Sequence, residues 1–407
     1  MKKLLSILCA AVLLATLVIT CVSCGGSSVS ADFKVGAILI GDENEGYTYA
    51  HINGIRTAAK ELGMSDDQII WKYTVPEDEK CYDAAIDLVE QGCSVIFSNS
   101  YGHQSHMKQA AQECPDVTFV AMTGDQAATS GLSNYKNAFT GVYQSRYVAG
   151  VVAGMKLAEL VADGKLTDAN YDGDNIKLGY VGAYPYAEVV SGFTAYYLGV
   201  KSIVENVTMQ VTYTNSWFDI TAEGTVAEAL AADGCVIISQ HADSTGAPAA
   251  VQALQDKGQV IYCVGYNVDM LSVAPNAALT SPTNTWAVYY KYAMETAANG
   301  GTIDTNWAKG YEADAVGITA LGSACAAGTQ EKVDEVVKGL KDGSIKVFDT
   351  SKFTVGGATL TEYLADVDGD FAPDTNAIWD GYFHESEMRS APYFDIRIDG
   401  IVENNNN

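Results

Sequence analysis

One strand–crest–helix pattern starts twice in this chain, and that repetition constrains its fold more than any other feature. Lys34-Val-Gly in the first half answers to Lys177-Leu-Gly in the second, Gly92-Cys-Ser-Val-Ile to Gly234-Cys-Val-Ile-Ile, and Asp125 to Asp269, at offsets of 143, 142 and 144 residues. An offset that holds to within a residue over three landmarks marks two copies of one doubly wound parallel unit. The first copy reads as strands 34–41, 68–74, 94–99 and 117–123 alternating with helices 50–62, 79–91 and 104–113. The second reads as strands 176–182, 208–214, 235–240 and 259–265 with helices 187–204, 220–232 and 246–257. Continuous Val/Ile/Tyr runs without polar alternation are what strands buried on both faces of a parallel sheet show. The predicted class is therefore α/β, with two Rossmann-like doubly wound lobes, which also suits 407 residues that exceed one ordinary core.

Between the copies, Phe139 to Gly154 gives a short strand and a helix whose Gly150 and Gly154 share a face and permit close packing. After the second copy, Ala278 to Pro282 crosses back as a short strand, and Trp286 to Asn299 forms a helix with an aromatic face. Gly310 onward gives a last strand and Thr329 to Lys341 an amphipathic helix, before an irregular acidic stretch and a frayed Asn tail. The expected division assigns 33–142 plus 283–301 to the first lobe and 143–282 plus 302–328 to the second, with 329–401 unassigned.

The first 24 residues read as a leader rather than as part of the fold. Lys2 and Lys3 precede an apolar run from Leu4 to Ile19, too short for a membrane span, and small residues follow. Cys21-Val-Ser-Cys24-Gly-Gly-Ser-Ser is similar to a bacterial lipobox, which makes Cys24 the expected lipid anchor, residues 25–32 a tether, and Cys21 the alternative anchor. Cys93, Cys235 and Cys263 fall in or at the start of strands, where a thiol acts as a small buried hydrophobe, and no metal or disulfide framework is expected. A formal charge of -26 argues against nucleic acid or an anionic membrane surface as partner.

Ligands of such sheets sit beyond the carboxyl ends of the strands. Those ends carry Asn44 to Tyr47, Thr74-Val75, Ser98 to Tyr101 and Thr123 to Asp125 in the first copy. In the second they carry Gly182 to Tyr184, Asn215 to Asp219, Gln240 to Asp243 and Tyr266 to Asp269. Aromatics, amides and carboxylates dominate, and no Lys or Arg is present. A phosphate or carboxylate ligand would call for arginine or a glycine-rich cradle. A flat, neutral, N–H-bearing heterocycle calls for ring faces and buried acceptors, and a free sugar is compatible with the same residues. The residues expected at the ligand are Asn44, Tyr47, Ser100, Tyr101, Trp217, Phe218, Asp219, His241, Asp243, Asp269 and Asn284. His103 and His106 are not expected to hold a metal, and Asp366-Val-Asp-Gly-Asp370 is read as a solvated turn because its Gly comes two places early for an EF-hand loop. No G-x-S-x-G, H-E-x-x-H or Cys/His pairing stands at a crest, so no enzyme and no cofactor are expected.

The segments NEGYTYAHINGIRTAA, SVIFSNSYG, YVAGVVAG, SWFDITAEG, IISQHADS and GYNVDMLSVAPNAALTSP, taken in order, resemble the basic membrane protein family over roughly residues 33–350. These are lipid-anchored substrate-binding components of ABC importers, similar to purine nucleoside receptors. The resemblance implies a type I periplasmic-binding-protein fold whose lobes are joined by three crossovers, with a purine sandwiched between aromatics. By position it implies Tyr47 as the first-lobe stacking ring, Trp217-Phe218 as the second-lobe pair, and Asp269 at the ribose. Two positions depart from the family pattern: Thr48 stands where nucleoside-binding members carry Asn, and Asn284 where they carry lysine. A free base is therefore an expected ligand alongside a nucleoside. The expected partners are that ligand, an ABC permease and the lipid bilayer through the anchor, with the protein a monomer outside the cytoplasm. A sugar or polyol receptor, a ligand-sensing lipoprotein, and a hydrolase using Asp219, Asp243 or Asp269 remain as alternatives.

Overall fold

The computed structural model describes residues 29–405. The leader, Cys24, Cys21 and the start of the tether lie outside the described residues. The first sheet is built from β1 (Lys34–Ile38), β2 (Ile69–Lys72), β3 (Cys93–Ser98), β4 (Thr118–Met122) and β5 (Tyr135–Thr140). Helices α1 (Gly46–Glu61), α2 (Glu79–Glu90) and α3 (Gln104–Glu113) cover it, and the long α4 (Val142–Ala162) leads away. The second sheet is built from β6 (Tyr171–Asp172), β7 (Asn175–Gly182), β8 (Val207–Tyr213), β9 (Ile237–Gln240) and β10 (Tyr262–Val264), with helices α5 (Ala187–Lys201), α6 (Ile220–Ala232) and α7 (Gly246–Asp256). The order β2-β1-β3-β4 in one sheet matches β8-β7-β9-β10 in the other, and every pairing along both paths is parallel. The duplicated pattern is thus a duplicated topology, in which the strand order reverses beside β1 and again beside β7.

The chain passes between the lobes three times. After β5 it crosses at Gly141, whose amide donates to Lys309 O at 2.7 Å. It returns through β11 (Pro282–Asn284), which pairs antiparallel with β13 (Val316–Ile318). The aromatic helix α8 (Trp286–Ala298) then packs Trp286, Tyr289 and Tyr290 into the first-lobe core. Next, β12 (Asn306–Lys309) adds to the first sheet beside β5. This corrects the sequence boundaries: 302–328 does not all belong to the second lobe, because Trp307 completes the first-lobe core before the chain crosses again at Gly310. Helix α9 (Thr329–Asp342) buries Val333, Val336 and Leu340 in the second-lobe core, as its amphipathic pattern dictates.

The second-lobe core is organised on the crossing of α4 and α5. A Cβ at Gly150 would lie 2.1 Å from Tyr196 O, and one at Gly199 would lie 2.1 Å from Tyr147 O, so only hydrogen at both places lets the backbones approach. Residues 347–398 pack over the same core through Phe348, Phe353, Phe383 and Phe394. Their short strands are β14 (Leu364–Ala365) with β15 (Thr375–Asn376) and β16 (Ile378–Trp379) with β17 (Tyr382–Phe383). The stretch expected to be irregular ends in β18 (Ile401–Glu403), an edge strand parallel to β8. Of the Asn tail expected to fray, Asn405 Oδ1 accepts from Tyr213 N at 2.8 Å, and Asn406 and Asn407 lie outside the described residues. The apolar alternation that would announce a strand is missing there because an edge strand of three residues is held by backbone hydrogen bonds. The six described cysteines are free.

Candidate functional site

The carboxyl ends of both sheets face one cleft of about 280 Å³. On the first-lobe side, the crest after β1 turns directly into α1, because the Glu45 carboxylate caps the helix: Oε1 accepts from Tyr47 N and Oε2 from Thr48 N, both at 3.1 Å. The helix therefore begins at Gly46, four residues before the position read from sequence, and Tyr47 lies in its first turn. The Tyr47 hydroxyl donates to Asn99 O, and its ring meets His51 edge-on at 4.6 Å. His51 in turn stacks on Trp286 at 4.3 Å and reaches Tyr290 Oη at 2.6 Å through Nδ1. Burial pushes the His51 pKa down to about 3, so this ring is neutral and serves as a spacer that fixes Tyr47.

Beyond β3, Ser100 Oγ and Gly102 N both donate to Glu77 Oε1, at 2.5 and 3.0 Å. A Cβ at Gly102 would come within 2.4 Å of the Glu77 carboxyl carbon, so a side chain here would displace that carboxylate from its present contacts. Tyr101 donates its hydroxyl to Asp125 Oδ2 at 3.0 Å and leaves 44% of its surface exposed. Thr123, with φ of 66°, closes this wall after β4.

The second-lobe side contributes Glu188, Trp217, Phe218, Asp243 and Tyr266. Trp217 follows β8 and meets Tyr184 edge-on at 5.5 Å. Its carbonyl accepts from Asp243 N at 2.8 Å, which ties the two crests together. Asp243 Oδ1 accepts from Asn267 Nδ2 at 2.7 Å. Burial holds the Asp243 carboxyl well above the usual carboxylate range, and the neighbouring Glu45, Glu188 and Glu223 add to this. Glu188 is also raised by burial, to about 7, against the opposing pull of Arg146. Arg146 lies behind the site, fully buried, with its guanidinium 3.7 Å from the Tyr266 ring centroid and Nη1 bonded to Gln240 O at 2.5 Å. Among the described residues no Lys or Arg lines the cleft, whereas four carboxyl groups do: Glu45, Glu77, Glu188 and Asp243.

Of the eleven residues expected at the ligand, the structure brings Tyr47, Ser100, Tyr101, Trp217, Phe218 and Asp243 together in this cleft. The other five stand elsewhere. Asn44 is exposed and its amide donates to Asp42 Oδ1 at 2.8 Å in a local turn. Asp219 caps α6, accepting from Ala222 N at 2.9 Å. Asp269 is exposed and accepts from Leu271 N at 2.8 Å. His241 is fully buried beneath Glu188, with Nε2 3.4 Å from Glu188 Oε1, and burial beside Arg146 holds it neutral. Asn284 is buried in a relay between lobes, bonded to Thr140 Oγ1 and, through Nδ2, to Asn267 Oδ1 at 3.1 Å. Small polar groups at strand ends are as often turn and cap formers as ligand contacts, which accounts for Asn44, Asp219 and Asp269.

Glu77 and Glu188 escaped the sequence inventory altogether. The repeat itself points to the second: Glu188 stands 143 residues after Glu45, the offset between the first strands of the two copies.

Residues 40–350 match the family described as ABC transporter substrate-binding protein, PnrA-like. A purine-binding protein of Brucella abortus is 32% identical over 267 residues, which is 65% of this chain and 69% of that one. A putative ABC transporter glucose-binding protein of Haloferax volcanii is 27% identical over 68% of this chain and 64% of its own length. Among solved structures, an ABC transporter solute-binding protein from Aeropyrum pernix aligns with a TM-score of 0.63 at 16% identity, covering 78% of this chain and 93% of that one. One from Conexibacter woesei aligns at 0.60 and 18% identity, over 77% and 98%.

Proposed function

The chain belongs to the PnrA-like family of ABC transporter substrate-binding proteins, which work outside the cytoplasm, and we propose that its cleft captures a purine nucleoside or free purine base for delivery to a membrane permease. The observation that carries this reading is the pairing of Tyr47 from one lobe with Trp217 from the other across a cleft that holds carboxyl groups and no cation. A planar ring between two aromatic walls gains about 0.5–1.5 kcal/mol per ring pair beyond the area it buries. The raised carboxyls add selectivity. When protonated, Asp243 or Glu188 offers an O–H donor beside a carbonyl acceptor, the complement of the N7 and 6-amino group of adenine. When ionised, each accepts from amino and ring N–H groups such as those of guanine. A ligand lacking the matching group leaves a buried acceptor unpaired. The relative from Brucella abortus that is named as purine-binding supports the same reading.

Capture proceeds by closure. Ligand bound to one lobe draws in the other because only the closed form makes both sets of contacts, and the crossings at Gly141, Pro282 and Gly310 are where the backbone bends. In this reading Cys24 carries a lipid that keeps the receptor, a monomer, beside its permease.

The aromatic-and-carboxyl lining also suits hydroxyl-rich ligands, and the relative from Haloferax volcanii named as glucose-binding favours a sugar as the second reading. A thermal-shift and calorimetry panel of adenosine, guanosine, adenine, guanine, ribose and glucose separates the two. A true ligand at a hundred times its Kd stabilises the protein by about 2.7 kcal/mol. Stabilisation by purines and not by glucose is the expected result; stabilisation by glucose alone establishes the sugar reading. Release of free base from inosine would instead make the protein a hydrolase.

A further inference from the structure

We propose that residues 366–374, together with Asp125, form a calcium site that joins the C-terminal segment to the first lobe. The hairpin of β14 and β15 presents Asp366, Asp368 and Asp370 so that one carboxylate oxygen of each lies within 4.8 Å of the others. Counted from Asp366, carboxylates occupy places one, three, five and nine, the last being Asp374. These are side-chain ligand places of a calcium loop, and the sixth place of such a loop makes a sharp turn that glycine normally supplies. Here Phe371 makes that turn, at φ 66° and with its side chain 87% exposed, and its amide donates to Asp366 Oδ2 at 3.1 Å. The early glycine, Gly369, which led the sequence reading to a solvated turn, has a different use. A Cβ there would lie 3.2 Å from Asp125 Oδ1, so its absence lets the first-lobe carboxylate close on the loop.

Asp125 is the independent observation. It comes from the loop after β4, is only 7% exposed, and its Oδ1 has no hydrogen-bond partner although it is buried against Gly369. An unpartnered buried carboxylate oxygen is costly unless a cation answers it. The loop itself has Ala377 at its twelfth place, where an EF-hand carries its last acidic ligand, and Asp125 supplies a carboxylate in its stead. Arg389 is the cation already beside the cluster, 3.8 Å from Asp125 Oδ2 and 3.9 Å from Asp366 Oδ1. Its Nε and Nη2 are tied to Ala391 O and Pro392 O, so it is held on one side and balances one of the five carboxylates. Five carboxylates, four on the loop and one from Asp125, suit a hard divalent cation that takes six to eight oxygen ligands, and calcium fits a flexible cage of this kind better than magnesium. Thr129 Oγ1, also of the first lobe, donates to Asp368 O at 3.4 Å, so the loop already touches the lobe it would be fastened to.

The test is calorimetric titration of chelator-treated full-length protein with calcium chloride, alongside its thermal melt. One ion is expected to bind with a Kd of about 10⁻⁴–10⁻³ M, the range of extracellular modules, and to raise Tm. Asp368→Asn with Asp370→Asn, both on the surface loop, should weaken that binding at least about tenfold, and Asp125→Asn should do so from the other lobe without altering the loop. No heat and no Tm shift at about 10 mM calcium chloride would overturn the proposal, as would a titration that the loop double variant leaves unchanged. Calcium binding that Asp125→Asn leaves intact would also overturn it, because the cation would then not join the segment to the first lobe.

Discussion

The two walls of the cleft hold their polar groups in different ways. On the first-lobe wall Glu45, Tyr47, Ser100 and Tyr101 are each hydrogen-bonded within their own lobe, to helix amides, a carbonyl, Glu77 and Asp125 respectively. On the second-lobe wall burial raises both acids, the half-buried Glu188 to about 7 and the buried Asp243 well above the usual carboxylate range, with Arg146 and neutral His241 packed behind them. One wall is a pre-set platform with shape fixed in advance of any ligand. The other keeps a store of undecided charge that a ligand's donors can settle. Preorganisation lowers the cost of ordering groups on binding, so the platform contributes affinity cheaply. Buried acids discriminate, because a wrong ligand leaves them unpaired.

That contrast can be broken by substitution. Trp217→Ala removes the main apolar surface of the second-lobe wall and should weaken ligand binding by about a hundredfold, or ~2.7 kcal/mol, in calorimetry. An unchanged Kd would show that the platform alone holds the ligand. Next in size, Gly199→Ala should destabilise the second lobe by about 2–3 kcal/mol, because the new Cβ would strike Tyr147 O where α4 and α5 cross. A melt followed by tryptophan fluorescence should fall by about 5 °C. The undecided charge also sets a pH dependence. Burial raises Glu188 and Glu385 to about 7, above the usual 4.5, so between those values the folded protein holds protons that the unfolded chain has released. Stability is then present in full below pH 4.5 and lost as pH rises through about 7, with a slope approaching about 1.4 kcal/mol per pH unit for each proton. Buried neutral His51 and His241 pull the other way below about 6.5, so the test is the difference between proteins in melts without ligand. Relative to the parent, Glu188→Gln should gain Tm as pH rises from 5 to about 7 and level off above it. The smallest effect is expected of Asp219→Ala, which loses a helix cap worth about 1 kcal/mol while leaving ligand affinity unchanged. A loss of affinity there would return Asp219 to the cleft.

The duplicated unit was legible because buried parallel strands leave unbroken apolar runs, and a repeat doubles the signal. Those runs locate the strands, and the strand order of the two sheets comes from the structure. Aromatic cleft residues were legible for a related reason: Tyr47, Tyr101 and Trp217 are large groups at strand ends, where a core has little use for them. Carboxylates were harder to place. Asp219 caps a helix and Asp269 closes a turn, while Glu188, in the first helical turn after the β7 crest, faces the cleft. Short side chains at chain reversals satisfy nearby amides first, and sequence does not say which of them have oxygen to spare. His241 and Asn284 were mislocated by one layer, since a buried ring or amide can hold a ligand-facing neighbour instead of the ligand. The sheet membership of β12 and β18 was not legible, because strands of four and three residues take their identity from the partner they add to.

The edge strand β18 has a consequence for how the molecule is made. It lies beside β8, with 192 residues separating the paired Ile401 and Met209. The second lobe's sheet therefore stays unfinished until residue 403 has left the ribosome, and its flank remains open to any passing strand during that interval. Closing so large a loop is slow, which favours a chain that travels before it sets. For a protein that works beyond the cytoplasm, completion of this lobe waits on the arrival of β18.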